Sequence, residues 1–349
     1  MFKRLLSVFS SNKSSGQTAP ASTPKPATPA TPATPSVTPT VKSATTSSPA
    51  ATPAEIENGE PITAYDAQGR QVMVPRNEWR EKVLLPSIAE KSNDPDALYN
   101  IIMTALNDGF AKDLVPAADR LLAIDTIAER GYTVHGIVLL ENGRLPEAEA
   151  TLKAGMQKIG ATGTLLTNLA KVIWEAGDQV AAKDILWQAI QAAPNLENSL
   201  MWWLAIEREQ HGDVAYLEAL HTVCTLPQTW RAQLVLAQFY LEQNLPETAV
   251  NLYQKVLHAK LYDASALASI SGALGSHGHI TNIIELIAPV YQPERHDPMA
   301  GLNLLRAYQQ LRRNKEGQAL LNKMRAVDLG PYQHYLDEFA RSFGEMRVA

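Results

Sequence analysis

The sequence predicts an all-α protein built from stacked helical hairpins, with a short β-hairpin before the helices and a disordered N-terminal tail. Three observations favour this fold class. Ala148 recurs as Ala182, a spacing of 34 residues that is typical of two-helix repeats. Apolar residues follow helical spacing without interruption from Asp94 onward, and Gly-containing turns recur between the helical stretches. Each hairpin is too small to bury its own apolar face, so several must stack to form a core.

Residues 1–13 form a basic amphipathic segment. Its apolar residues recur at i, i+3, i+4 and i+7, which in a helix gives an apolar stripe beside two cations. Such a segment can touch an anionic membrane surface weakly or dock into a partner's groove, and a targeting signal or a frayed terminus without a role are the alternatives. Its apolar run is shorter than the roughly 7–15 residues of a secretory signal. The candidate docking residues are Phe2, Lys3, Arg4, Leu5, Leu6 and Phe9.

Residues 14–54 are predicted to be a disordered linker rich in Ala, Thr and Pro. Nine of the 22 prolines lie within the first 54 residues. Proline removes backbone donors, and a segment with so few large apolar residues cannot offset the entropy lost on ordering. The linker would therefore space the N-terminal segment from the folded body.

Charge divides the chain at the same place. Residues 1–54 carry five cations and no acid, while the whole chain has a net charge of −5, so residues 55–349 carry −10. An acidic body argues against nucleic-acid binding, which needs clustered Lys and Arg.

The lone Cys224 excludes an intrachain disulfide and a cysteine-based zinc site. No run approaches the roughly 18 apolar residues of a membrane span.

Residues 55–92 are predicted to form a β-hairpin lead-in and a first helix. The hairpin covers Ile62 to Pro75, around a turn that contains Gly69. An isolated hairpin is not stable alone, so we expect it to lie against the first helices, with Trp79, Val83 and Leu84 extending the contact. Asp94 then supplies an N-cap for the next helix.

The repeat positions resemble those of the tetratricopeptide-repeat family, whose unit is a 34-residue helix-turn-helix. Counted from the Gly-containing turns, the chain holds about seven hairpins over 93–328, closed by a capping helix in 329–349. The segment before them also resembles the lead-in of bacterial repeat proteins of unassigned role. The best-formed unit matches the family at Leu166, Leu169, Ala170, Ile173, Ala182, Leu186, Ala189 and Pro194. Small residues that would let helices approach closely are Gly136, Ala148, Ala170, Ala182 and Ala249.

The resemblance implies a non-catalytic protein-protein interaction scaffold or adaptor that binds a partner segment in a concave groove. In this family the groove is lined by fixed positions of the first helix of each unit. We expect Asn168, Lys171 and Trp174, on adjacent turns of one helix, to contribute most. Carried onto this sequence, those positions select Arg130, Thr167, Asn168, Lys171, Trp174, Arg208, Arg231, Gln238, Asn303 and Arg306, with Glu141, Glu175, Glu242 and Gln310 beside them.

Two alternative functions stay open. The chain could be a self-associating structural subunit, as the apolar last units around Leu302, Leu304, Leu305 and Leu320 suggest, or a co-chaperone or assembly factor localised by its N-terminal segment. The two-carboxylate clamp that some family members use is not expected, since Thr133 and Ile137 stand where Lys and Asn would sit. A partner protein of unknown identity is expected, and a homo-oligomer is an open alternative. The predicted location is cytoplasmic, with peripheral contact at the inner membrane face as the alternative.

No enzymatic, cofactor or metal site is expected. The sequence lacks a Gly-x-Ser-x-Gly motif, a phosphate-binding Gly-rich loop and a dinucleotide fingerprint. The His277-Gly278-His279 pair is explained more simply by a Gly turn than by a metal. Cys224 has no basic neighbour in sequence and is expected to be a small buried hydrophobe. Of the neighbouring Trp202 and Trp203, one should face the core, which leaves the other free to anchor a partner.

Overall fold

The computed structural model describes residues 61–65 and 70–345. The predicted N-terminal segment, including Phe2, Lys3, Arg4, Leu5, Leu6 and Phe9, and the linker of 14–54 lie outside these residues. The chain forms two compact units that divide between Ile124 and Asp125.

The first unit begins with the predicted β-hairpin. Strands β1 (Ile62–Tyr65) and β2 (Gln71–Val74) pair antiparallel, with Ile62 opposite Val74. Ile62 is buried, but Met73 in β2 is 57% exposed. Val83, which was expected to extend the contact of the hairpin, is 37% exposed, whereas Leu84 is buried.

The helices of the first unit follow directly. Helices α1 (Arg76–Trp79) and α2 (Leu85–Glu90) are joined by a π-helical turn, and α3 (Pro95–Asn107) packs on α4 (Val115–Ile124). The carboxylate of Asp94 accepts hydrogen bonds from the backbone N–H groups of Asp96 and Ala97, which caps α3 as predicted. Arg80 ties the π-turn to the loop after α3 through a 2.7 Å ion pair with Asp113.

The second unit consists of helix pairs. Contacts join the two helices of a pair, most second helices to the next first helix, and most successive first helices to one another. This is the packing of a helical-hairpin solenoid, so the predicted fold class is confirmed for the described residues. The helices are α5 (Ala128–Glu141), α6 (Leu145–Ile159), α7 (Gly163–Glu175), α8 (Gln179–Ala192), α9 (Glu197–Cys224), α10 (Arg231–Glu242), α11 (Pro246–Ala259), α12 (Ala266–Ser276), α13 (Ile280–Ile287), α14 (Pro298–Gln310), α15 (Asn314–Arg325) and α16 (Tyr335–Glu345).

The bends between paired helices use left-handed backbone. Gly143 and Gly177 have φ of 70° and 98°, which glycine adopts without a Cβ penalty. Two other bends place Asn244 and Arg312 in this region, at φ 59° and 55°. In α9 the bend is a break at Gly212 (φ 84°, ψ −175°), so the long helix supplies both members of a pair.

The predicted close approaches occur at small residues. Ala148, Ala170, Ala182 and Ala249 are each 0% exposed. A Cβ added to Gly136 would lie 2.8 Å from the Leu152 side chain, closer than packed atoms approach. These positions decide the spacing of the paired helices.

The last helix, α16, closes the stack by packing on α15 and α14. Phe343 is 2% exposed and lies against Gly317. The leucines offered as an apolar self-association surface are instead part of the chain's own core, because neighbouring helices cover them. Their exposures are 7% for Leu302, 2% for Leu304, 0% for Leu305 and 9% for Leu320.

Candidate functional site

The predicted groove residues all lie on the first helices of the pairs in the second unit. These helices are α5, α7, the first half of α9, α10, α12 and α14, and we call them the A helices. The exposure of their groove positions differs from one A helix to the next.

The α7 residues are the least accessible of the predicted set. Thr167 is 2% exposed, and its hydroxyl donates to the Gly163 carbonyl of its own helix at 2.6 Å. Asn168 is 6% exposed and donates from Nδ2 to the Thr164 carbonyl at 2.9 Å, while its Oδ1 has no hydrogen-bond partner among the described residues. Neither side chain offers a surface to an incoming peptide.

Lys171 and Trp174, one turn further along α7, are half-buried. Burial lowers the pKa of Lys171 to about 8, and the nearby Glu141 carboxylate opposes that shift only in part. Trp174 packs edge-on against Trp202, with ring centroids 5.7 Å apart. Trp174 thus belongs to the packing between α7 and α9, whereas Lys171 lies near Glu141 of α5.

The tryptophans behave as internal packing residues. Trp202 is 2% exposed and Trp230 is 5% exposed. Trp203, the neighbour expected to be free, is half-buried and packs on Trp187 at a centroid distance of 4.9 Å. None of these rings stands out as a surface anchor.

Arg130 and Arg208 are held by acids of their own segments. Arg130 pairs at 2.6 Å with Asp125, whose side chain is 1% exposed. Burial opposes ionisation of Asp125, but hydrogen bonds from Arg130 and from a backbone N–H outweigh it and lower its pKa. Arg208 pairs with Asp213 at 2.8 Å and lies over the Tyr216 ring. Arg130 is therefore held by a buried acid, whereas the Arg208 side chain is 51% exposed.

The first accessible region is a cavity of about 200 Å³ between α9, α10, α11 and α12. Arg231 lies on its wall and forms ion pairs with Glu197 (3.1 Å) and Asp263 (3.3 Å). Gln238 is exposed on the same wall and donates to Glu242 at 3.3 Å. Two predicted residues therefore share one cavity.

A second cavity, of about 290 Å³, lies between α12, α13 and α14. Asn303, Arg306 and Gln310 line it. Asn303 donates to the Ser271 hydroxyl at 3.0 Å, whereas Arg306 and Gln310 are exposed. The structure thus brings these three predicted residues together.

Helix α12 lies between the two cavities and contributes only small side chains to them. Ser269 and Ala273 border the first cavity, and Gly272, Gly275 and Ser276 border the second. We call the two cavities and the α12 face between them the α12 trough. Sequence reasoning missed the role of α12 because none of these residues carries recognisable chemistry. The available signal was the absence of bulky residues at its groove positions.

Titratable groups elsewhere show no reactive arrangement in the described part of the chain. No cluster of three or more His, Cys, Asp or Glu side chains that could hold a metal occurs there. Burial raises the pKa of the Cys224 thiol to about 12. Gly278 has φ 78°, which makes the two flanking histidines part of a hairpin bend. Over the same residues, no helix combines the length and apolar character needed to cross a membrane.

A family model described as tetratricopeptide repeat matches residues 130–154. The match begins in α5 and ends in α6, so it spans the bend of one helix pair whose packing recurs along the second unit. The chain therefore contains a helix pair similar to a tetratricopeptide repeat. No curated protein matches it in sequence.

Solved structures of tetratricopeptide-repeat proteins are similar to this one. One from Parabacteroides merdae ATCC 43184 is 10% identical, with a TM-score of 0.31 over 71% of this chain and 98% of that chain. One from Cytophaga hutchinsonii is 13% identical, with a TM-score of 0.32 over 69% and 98%. YrrB, described as having an unusual peptide-binding site, is 18% identical, with a TM-score of 0.30 over 53% and 96%. Identities of this size concern the fold alone.

Proposed function

We propose that this protein is a non-catalytic scaffold that binds a segment of a partner protein in the α12 trough. The observation that carries the proposal is the convergence of predicted groove residues from separate repeats on one open surface. Arg231 and Gln238 line one side of α12, and Asn303, Arg306 and Gln310 line the other.

The chemistry of the trough suits an extended peptide. Amide and hydroxyl side chains can both donate to and accept from a peptide backbone, and Arg306 offers a guanidinium to an acidic side chain. The small residues of α12 leave room for the peptide backbone to approach the helix. The α7 residues support the stack rather than bind the partner.

A steric block tests the proposal. A Cβ added to Gly272 meets no atom within 4 Å, and Gly272 borders the second cavity, so G272L is chosen to place a side chain in the trough. The matched control is T281L, which adds the same side chain at an exposed position of α13. Full-length tagged wild type and both variants are used for crosslinked affinity capture from the protein's own cells.

The proposal expects a partner that wild type and T281L recover and G272L loses, and that binds as a purified protein with the same ranking. Equal recovery by G272L would refute binding in the trough. Recovery of the protein alone would favour the structural-subunit alternative, which light scattering on the full-length chain then tests. Deleting residues 1–13 and fractionating cells tests the N-terminal segment as a localisation element, since unchanged membrane recovery excludes it as the cause.

A further inference from the structure

The hydroxyl of Tyr253, on α11, is a buried donor without an acceptor. Tyr253 is 1% exposed, and its hydroxyl has no hydrogen-bond partner among the described residues. Most buried polar groups in folded proteins do have a partner, because an unpaired one costs free energy. Burial raises the pKa of Tyr253, so the hydroxyl keeps its proton and remains a donor at all physiological pH values.

Tyr253 is also part of the wall of the first cavity of the trough. The walls beside it include Met201, which is 41% exposed, and the exposed Gln238. Both side chains are unbranched and can change rotamer without moving a helix. Rotamer changes of these two side chains would widen the cavity that Tyr253 borders.

The charges around this cavity favour a neutral ligand group. The single guanidinium on the wall, that of Arg231, is already paired with the carboxylates of Glu197 and Asp263. A carboxylate of the ligand would be repelled by these two acids, whereas a carbonyl oxygen brings no net charge. Met201 and Val235 add apolar surface to the same wall.

We infer that the first cavity is a peptide subsite in which a backbone carbonyl of the partner accepts a hydrogen bond from Tyr253 Oη–H and the adjacent apolar side chain contacts Met201 and Val235. This inference rests on the proposed function and assigns the partner's chemistry at one point of the trough. An extended segment is the occupant that fits, because its backbone carbonyls are free of internal hydrogen bonds.

The test starts from peptides of known sequence. A phage-displayed library of randomised dodecapeptides is selected on the immobilised full-length protein, and selected peptides are synthesised with a fluorophore. Their dissociation constants are measured by anisotropy for wild type, Y253F and Y291F. Tyr291 is the control, because its hydroxyl is also buried but it lines neither cavity of the trough.

Y253F is expected to weaken peptide binding by about 3- to 10-fold, the range of one neutral hydrogen bond, while Y291F binds as wild type does. Y253F should not melt below wild type, because it loses only an unpaired hydroxyl. A scan of peptides that replace one amide by an ester weakens one carbonyl acceptor at a time. One ester should weaken binding to wild type and have no further effect on Y253F.

The outcomes separate this inference from the proposed function. Peptides that G272L loses but that Y253F binds as tightly as wild type would overturn the subsite and leave the trough assignment standing. An ester scan with the same profile for wild type and Y253F would overturn it too, since the hydroxyl then meets no backbone carbonyl. A selection that enriches no peptide, or only peptides that G272L binds equally well, would overturn both.

Discussion

Lys171 is predicted to destabilise the folded protein near neutral pH. Burial lowers its pKa from 10.5 to about 8. Because one pKa unit corresponds to about 1.36 kcal/mol, keeping the ammonium charged in the folded state costs on the order of 3 kcal/mol below pH 8. Replacing Lys171 by Met keeps the length and apolar stem of the side chain and removes the charge. We expect K171M to raise the free energy of unfolding at pH 7 by roughly 1–3 kcal/mol.

The pH dependence identifies the cause of this gain. In the unfolded chain Lys171 titrates at its ordinary pKa of 10.5, so between pH 8 and 10.5 the unfolded state binds more protons than the folded state. The free energy of unfolding of wild type therefore rises with pH across that window through this group. Below pH 8 the ammonium is charged in both states and its cost is constant. The advantage of K171M should accordingly be full at pH 7 and shrink toward pH 10.5.

Urea unfolding of wild type, K171M and K153M at pH 7, 8, 9 and 10, followed by circular dichroism, measures these differences. Lys153 is the control, because its side chain is 56% exposed and should give a small, nearly pH-independent effect. A K171M variant that is less stable than wild type at pH 7, or a K171M advantage that is equal at pH 7 and pH 10, would refute the reasoning.

Three further predictions concern packing and reactivity. A Cβ at Gly317 would lie 2.4 Å from the Phe343 ring, whereas a Cβ at Gly272 meets no atom within 4 Å. In urea unfolding, G317A should therefore lower the free energy of unfolding by about 1–3 kcal/mol, and G272A should leave it unchanged or raise it slightly. A loss of stability in both variants would contradict this packing. W174A should lower the free energy of unfolding by about 2 kcal/mol or more in urea titrations, because Trp174 packs on Trp202. An unchanged stability would contradict this packing role and favour Trp174 as a partner-binding residue. The Cys224 thiol, with its pKa raised to about 12, should react slowly with a disulfide reagent at pH 8 in the folded protein and rapidly in urea; equal rates would show that it is accessible.

Much of the fold could be predicted because it depends on local spacing. The small residues Ala148, Ala170 and Ala182 are fully buried, and Gly143 and Gly177 form the bends between paired helices. Bends without glycine gave a weaker signal, because Asn and especially Arg carry a Cβ penalty in left-handed backbone and are not expected there. The close contact of the capping helix at Gly317 was also not predictable, since it joins segments that sequence spacing does not relate.

The candidate site was predictable only in part, because a family position specifies a place on a helix and not what covers it. Thr167 and Asn168 occupy groove positions of α7, yet both are buried. Gln238 and Arg306 occupy equivalent positions of α10 and α14 and are exposed. The difference depends on neighbouring helices, which an amphipathic pattern along one helix does not reveal.

Side-chain volume explains why the open surface lies beside α12. Between α7 and α9 the space is filled by aromatic rings, as the 5.7 Å contact of Trp174 with Trp202 shows. At α12 the corresponding face carries serine, glycine and alanine, and two cavities remain between this helix and its neighbours, although Asn303 of α14 still reaches Ser271. The polar residues that border such a gap stay accessible, and a buried donor such as the Tyr253 hydroxyl is left without an acceptor. Both features have the same cause: the side chains of α12 are too small to fill the space between its neighbours. An extended chain in that space would fill the cavities and supply an acceptor for the hydroxyl.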